Sequence, residues 1–262
     1  VPDHKISLQD LQADMRDHFE NTPFAIDIAN EDPGKGLYDA PYRPTPLYFE
    51  HNGKKLFNER PISTQQASFS IISELRADLP REIGSLLWWA NDDANMTAYT
   101  PLYGCLTKAP VPFHTPNADD ATFSMDNAFW VSNWVSNMVY PRYSMIFPEL
   151  KAVRDSIDQS LAADQQKFIA KAMERLERNR DNGIEYITNY SCKKADEMMA
   201  AWKNLAIKII VKYNDMAVKQ EENGVYKRTK NGWIVAPKRP GYSEETKKAI
   251  ANYGDRYEVP AE

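Results

Sequence analysis

Cysteine, histidine and glycine are scarce in this sequence, and each scarcity removes a class of protein. Two cysteines, Cys105 and Cys192, cannot build a disulfide scaffold or a thiolate-rich zinc site. The four histidines, His4, His18, His51 and His114, fall into none of the spacings that bring metal ligands together. Only ten glycines are present, and Gly34-Lys35-Gly36 has no strand-to-helix setting around it, which argues against a dinucleotide cofactor. Long apolar runs are missing too. The best, residues 128–140, is interrupted by Ser132, Asn133, Ser136 and Asn137, well short of the roughly 18 residues a membrane span needs. Excess positive charge is also lacking: 32 basic against 37 acidic residues give a net charge of -5, unsuited to nucleic acid or an anionic membrane. No cofactor and no metal is expected.

What the sequence does have is enough apolar content, 42%, to bury a core across 262 residues. Its two parts differ. Residues 1–148 hold 11 basic and 19 acidic side chains and twenty of the thirty aromatics; residues 149–262 hold 21 and 18 charges. Aromatics and β-branched residues mixed with proline point to strands in the first part, and the Ala/Glu/Lys/Arg-rich remainder points to helices.

Ser7 caps an amphipathic helix predicted over residues 6–20, with Leu8, Leu11, Met15 and Phe19 on one face. Seven prolines and glycines punctuate a long loop over residues 21–46. Asn52-Gly53 between two short strand-like runs predicts a hairpin. Further strands are expected within 63–75, 83–90 and 97–103, with a polar turn at 91–96. A helix begins near Asp126 and is closed by Pro141 or Pro148. Two long helices, about 149–179 and 184–217, are broken at Asp181-Asn182-Gly183 to form a helical hairpin. One more hairpin and a short helix end the chain. The expected organisation is 1–148 strand-rich, 149–218 helical hairpin, and 219–262 hairpin plus short helix.

For chemistry, Trp88-Trp89-Ala90-Asn91-Asp92-Asp93 is the most site-like stretch. Two aromatics followed by carboxylates and an amide suit an amine held away from water. A solvated turn accounts for Asp92 and Asp93 more simply than such a site or a calcium loop does. Cys105, at the end of a strand, reads as a small buried hydrophobe. Cys192 has Lys193 and Lys194 beside it, the only neighbours that would lower a thiol pKa. Asp17 and His18 are adjacent along the predicted helix and therefore diverge.

Four segments together resemble one family. Met15-Arg16-Asp17-His18-Phe19-Glu20-Asn21-Thr22 resembles its RDH(Y/F)EGT element, with Asn21 in place of glycine. Phe57-Asn58-Glu59-Arg60-Pro61-Ile62-Ser63-Thr64-Gln65-Gln66 resembles NERxISTQQ. Trp88 to Ala94 with Tyr99-Thr100-Pro101-Leu102-Tyr103 resembles W(F)GxDD…Y.P.Y, and Phe123 to Trp130 with Tyr140-Pro141-Arg142-Tyr143 resembles FSWDSAFWVFN…YxRY. In order and over most of residues 5–150, these are similar to the dipeptidase A-like N-terminal-nucleophile (Ntn) cysteine peptidases, relatives of penicillin V and bile-salt amide hydrolases.

The resemblance implies an α+β chain: the C-terminal part of an αββα Ntn-hydrolase sandwich, carrying the long antiparallel helical hairpin. It implies hydrolysis of dipeptides through a thioester on a cysteine whose own α-amine, with a pKa near 8, is the base. Residue 1 here is valine, so the expectation is a downstream portion, inactive alone, whose partner is the upstream part of the same polypeptide. No catalytic cysteine is transferred to Cys105 or Cys192. Candidate substrate-binding residues are Arg60 and Asn91 by analogy of position, Ser63, Thr64 and Gln65 as hydrogen-bond donors, and Asp92 or Asp93 for a substrate ammonium. An amide hydrolase acting on N-acyl amides, or a non-catalytic peptide- or partner-binding module, are the alternatives. An oligomer is allowed, and a periplasmic or secreted parent is preferred to a cytoplasmic one.

Overall fold

The computed structural model describes residues 3–20, 22–25 and 45–259, so most of the loop expected at 21–46, including Gly34-Lys35-Gly36, lies outside the described residues. The chain divides into two compact units, Val1–Ile207 and Lys208–Glu262.

The first unit opens with α1, Leu8–Met15. Ser7 and Asp10 form a reciprocal capping box: the Asp10 amide donates to the Ser7 hydroxyl (3.1 Å), and the Ser7 amide donates to the Asp10 carboxylate (2.8 Å). The helix stops at Met15, earlier than the apolar spacing suggests. Residues 16–20 leave it, and Phe19 adopts a left-handed backbone (φ 63). The Asn-Gly hairpin forms as expected, with β1 (Tyr48–His51) antiparallel to β2 (Lys54–Phe57). Asn52 and Gly53 both have positive φ, 49 and 73, as a two-residue turn matching the strand twist requires. Both strands are exposed along their whole length.

The central sheet is antiparallel, in the order β3 (Phe69–Leu75), β4 (Ser85–Asn91), β5 (Thr100–Tyr103), with a short helix α2 (Arg81–Gly84) leading into β4. Phe69 pairs with Asn91 and Leu75 with Ser85; Leu86 pairs with Tyr103 and Trp89 with Thr100. Its inner face, through Ile72, Leu86, Trp88 and Tyr103, packs with Leu161, Phe168 and Ile187 from two long helices. Each such fully buried side chain contributes about 1.5–3 kcal/mol.

These helices follow α3 (Ala128–Val139), which Asn127 caps from its side chain. Pro141, not Pro148, ends α3: it sits in a single turn, Tyr140–Arg142, where its missing N–H costs little. Pro148 lies inside α4, Tyr143–Arg178. The α4/α5 hairpin is antiparallel. Phe168 stacks on Tyr190 (3.7 Å between centroids), and Lys194 pairs with Asp164 at 3.1 Å.

The hairpin turns at Asn179, not at Asp181-Asn182-Gly183. Asn179 alone is extended (φ -159, ψ 116), and its side-chain oxygen accepts from the Asn182 amide (3.0 Å), capping α5 (Arg180–Tyr213). Gly183 is helical, and its role is close approach. A Cβ there would stand 2.6 Å from Leu176 Cδ2 and 2.7 Å from Leu176 Cα. The glycine marked the right neighbourhood for a packing reason, and not for a turn.

In the second unit, Lys212 near the end of α5 binds Glu221 (2.8 Å). Strands β6 (Glu221–Glu222) and β7 (Val225–Tyr226) pair antiparallel, and α6 (Glu244–Ala251) is capped by Ser243. Helices with small antiparallel sheets make the chain α+β, as the sequence predicts. No helix among the described residues is long and apolar enough to cross a membrane.

Candidate functional site

The turn after β4 is not a solvated one. Asp92, Asp93, Asn95 and Thr97 are all buried, Asp92 and Asp93 completely. A polar stretch is tolerated inside a protein only when its groups are hydrogen-bonded, and partners arrive here from several distant parts of the chain.

Asp93 is held hardest. Its Oδ1 accepts from the Ser63 hydroxyl and the Asn95 amide, and its Oδ2 accepts from the Tyr140 hydroxyl. Burial, and then the Asp93 charge, push the Tyr140 phenol well above its ordinary range, so it stays a donor. Ser63 reaches this position because its own amide donates to the Asp17 carbonyl (3.0 Å), tying the segment before β3 to the segment after α1.

Asn95 is the second knot. Its side-chain amide donates to the Tyr143 hydroxyl (2.9 Å), and its backbone and side-chain oxygens both accept from Arg154 Nη1, at 2.8 and 2.7 Å. Arg16 closes the same web, with Nε on the Ala94 carbonyl (3.2 Å) and Nη1 on Asp158 (2.7 Å). Trp202 of α5 donates its indole N–H to the Met96 carbonyl (3.1 Å).

His18 is buried in this web at 1% exposure. Its Nδ1 is 3.4 Å from Glu20 Oε1, its ring meets Tyr143 edge-on, and its Nε2 has no hydrogen-bond partner among the described residues. Glu20 is driven down to about 2: partial burial works against this but is outweighed by hydrogen bonds from the His18 ring and from backbone amides.

Asp92 differs from its neighbour. Its backbone is left-handed (φ 66), a conformation most side chains avoid. Oδ1 accepts from the Asn133 amide of α3 (2.9 Å), while Oδ2 is buried with no hydrogen-bond partner among the described residues. Burial pushes the Asp92 carboxyl up to about 7; Asn133 opposes this and the Asp93 charge reinforces it.

The sequence-derived candidates thus separate into two groups. Ser63, Asp92 and Asp93 converge in the buried web. In this conformation neither carboxylate is open to a substrate ammonium, and the Ser63 hydroxyl is committed to Asp93. Arg60 is exposed; Thr64 and Gln65 are half-buried in a turn ahead of β3, with the Thr64 hydroxyl turned to Gln66. They precede the strand, which begins at Phe69, and do not start it. Asn91, half-buried at the end of β4, accepts from the Trp89 indole (3.0 Å).

Sequence reasoning passed over Arg154. It stands on the stripe Leu150, Arg154, Ile157, Leu161 of α4, and a charge interrupting a buried apolar stripe was the available signal. His18, Tyr140 and Tyr143 were present in the quoted motifs but had been given no role.

Neither thiol is activated. Burial raises Cys105, and it raises Cys192 against a small opposing effect of Lys108. Lys193 and Lys194 do not serve Cys192; both pair with Glu197, and Lys194 also with Asp164. Both cysteines are free. Among the described residues, no three carboxylate, imidazole or thiolate groups converge in a metal-binding arrangement.

The web is therefore built from all four of the motif-bearing segments: 16–20, 63, 92–95 and 140–143. A family model, Peptidase family C69, matches residues 1–156, the span that holds all of them. The chain belongs to peptidase family C69. That membership, the dipeptidase A family, makes it a peptidase and its substrate a peptide. No curated protein matches the chain. In C69 terms, most of the web falls inside the matched span, and Trp202, which anchors Met96, falls beyond it.

Proposed function

We propose that this C69 chain is the substrate-side portion of a dipeptidase whose nucleophile is a cysteine upstream of residue 1. The observation that carries the reading is the convergence of the four motif segments on one buried web, which fixes the ends of β3 and β4. In this reading Arg60, Thr64, Gln65 and Asn91, carried by the segments leading into β3 and at the end of β4, present their polar groups to a dipeptide's carbonyl and carboxylate groups. Ser63, Asp92 and Asp93 act from beneath, by holding the loop that presents them.

In the proposed reaction the upstream thiolate attacks the peptide carbonyl, its proton having passed to the α-amine of the same residue. The C–N bond breaks, the leaving amine takes that proton, and a thioester remains. Water then hydrolyses the thioester and restores the thiol. The raised pKa values of Cys105 and Cys192 support leaving both out of this scheme. The apolar outer face of the central sheet supports the αββα sandwich as the fold of the whole enzyme.

The test is turnover by the parent polypeptide of free dipeptides against N-acyl amides. Cleavage of dipeptides that survives Cys105→Ser and Cys192→Ser supports the reading. Preference for acylated amides turns it into a different amidase, and loss of cleavage in Cys105→Ser overturns the placement of the nucleophile.

A further inference from the structure

The net charge of -5 conceals a local surplus of the other sign in the second unit. Residues 208–243 carry eight basic side chains and three acidic ones, Asp215, Glu221 and Glu222. The backbone gathers part of that surplus around one cleft. Val218 and Lys238 exchange amide-to-carbonyl bonds (2.8 and 2.9 Å), and the Lys227 amide donates to the Gln220 carbonyl (2.9 Å). The Lys219 amide donates to the Lys212 carbonyl (2.8 Å), which brings in the end of α5. The cleft so formed, of about 240 Å³, is lined by Lys212, Lys219, Lys227 and Lys238 and, among the described residues, by one carboxylate, Glu221.

The ion pairs around it leave charge over. Glu221 answers Lys212 at 2.8 Å, and Glu222 answers Lys227 at 3.2 Å. Lys219 gives its ammonium to neutral oxygens, the Val211 carbonyl and the Asn214 side chain, and Lys238 is exposed. Neither Lys219 nor Lys238 has a carboxylate partner among the described residues. Two positive charges therefore line one cleft unanswered, and both belong to groups that solvent reaches.

We infer that this cleft binds a phosphate group carried as a monoester. A carboxylate answers one free ammonium and leaves the other, whereas a phosphomonoester brings close to two charges and three acceptor oxygens. Lysine meets phosphate as a point charge, without the fork that selects a planar carboxylate. The cleft is smaller than the roughly 300 Å³ at which pockets for whole drug-sized ligands begin, so it takes the charged head of its ligand. Outside the cleft, the turn 229–232 closes with the Gly232 amide on the Thr229 carbonyl (2.9 Å) and carries exposed Arg228, Lys230 and Trp233 around its tip, Trp233 at 75% exposure. A phosphate on a lipid surface meets that basic, aromatic tip as well, and a soluble ester needs the cleft alone. The inference does not rest on the proposed cysteine chemistry.

The test follows the side-chain amide of Gln220, which donates to the Ala236 carbonyl (2.9 Å) at the cleft wall, in the ¹⁵N-labelled 262-residue chain. Inorganic phosphate and acetate are titrated separately at a constant ionic strength of about 0.15 M. The expected result is a saturable shift with phosphate, at least about fivefold weaker with acetate. Lys219→Gln and Lys238→Gln each weaken phosphate about threefold, and together about tenfold, while Lys238→Arg keeps most of the affinity. Lys230→Gln, outside the cleft, changes it by less than about twofold. Glycerol 3-phosphate and vesicles of phosphatidylcholine with about one-fifth phosphatidic acid then separate the two sources. Vesicle binding that Trp233→Ser abolishes supports the site as one for a lipid headgroup; glycerol 3-phosphate tighter than phosphate, with vesicles unbound, supports it as one for a soluble ester. No saturable shift at about 20 mM phosphate, acetate binding as tightly, or a loss in Lys230→Gln equal to that in Lys238→Gln overturns the inference.

Discussion

The inner and outer faces of the central sheet use similar residues to opposite ends. Ile72, Leu86, Trp88 and Ala90 point inward and are almost fully buried against α4 and α5. Phe69, Ile71, Leu75 and Leu87 stand on the same strands and are exposed, Leu75 at 80%. Phe69 stacks on Trp89 at 5.1 Å between centroids. Apolar side chains on both faces are what a sheet buried on both sides carries, whereas one-sided sheets alternate apolar with polar. Inside, polar residues such as Asp93 and Asn95 are buried because they find partners; outside, even apolar ones are not.

The contrast can be broken first at Asp92, where the largest effect is expected. Its folded pKa of about 7 lies above the ordinary 3.8, so the folded state holds a proton that the unfolded state has lost between those values. The Asp92 contribution to stability is then greatest below about pH 4, falls as pH rises to about 7, and is level above. The loss is on the order of 4 kcal/mol for a shift of about three units. Asp92→Asn, compared by urea unfolding at pH 5 and pH 8, should remove this slope and be the more stable protein at pH 8. A slope retained in the variant would assign it elsewhere.

Arg154→Met comes next. It strips two oxygens of buried Asn95 of their donor and should cost about 3 kcal/mol at constant pH, read as a lower urea midpoint. Gly183→Ala should cost about 1–3 kcal/mol, since the new Cβ meets the Leu176 Cα as well as its side chain, and the backbone atom cannot swing away. The smallest effect is expected on the outer face: Leu75→Ser should change stability by no more than about 0.5 kcal/mol in this chain. A large loss there would mean that the outer face is already covered.

Much of the local structure was legible in the sequence because it depends on neighbours in the chain. Ser7 as the cap of α1, Asn52 with Gly53, and the spacing of α3 and α4 are short-range devices. The web was legible only in part. Ser63, Asp92 and Asp93 stood out by type, but whether a carboxylate pair is solvated or buried depends on Tyr140, Asn133 and Arg154, many residues away. The hairpin turn was displaced for a different reason: Gly183 is needed by Leu176 across the turn, and glycine is read as a turn signal by type, before its packing is known. Cys192 was judged by Lys193 and Lys194, yet successive helical residues face different directions, and both lysines serve Glu197.

The central proposal for this C69 peptidase is that the reactive thiol is neither Cys105 nor Cys192. It is tested most directly by dipeptide turnover in the parent enzyme carrying Cys105→Ser and Cys192→Ser together. The account predicts kcat/KM within about threefold of the unsubstituted enzyme. A fall of about a hundredfold or more, with the fold intact by circular dichroism, would contradict it.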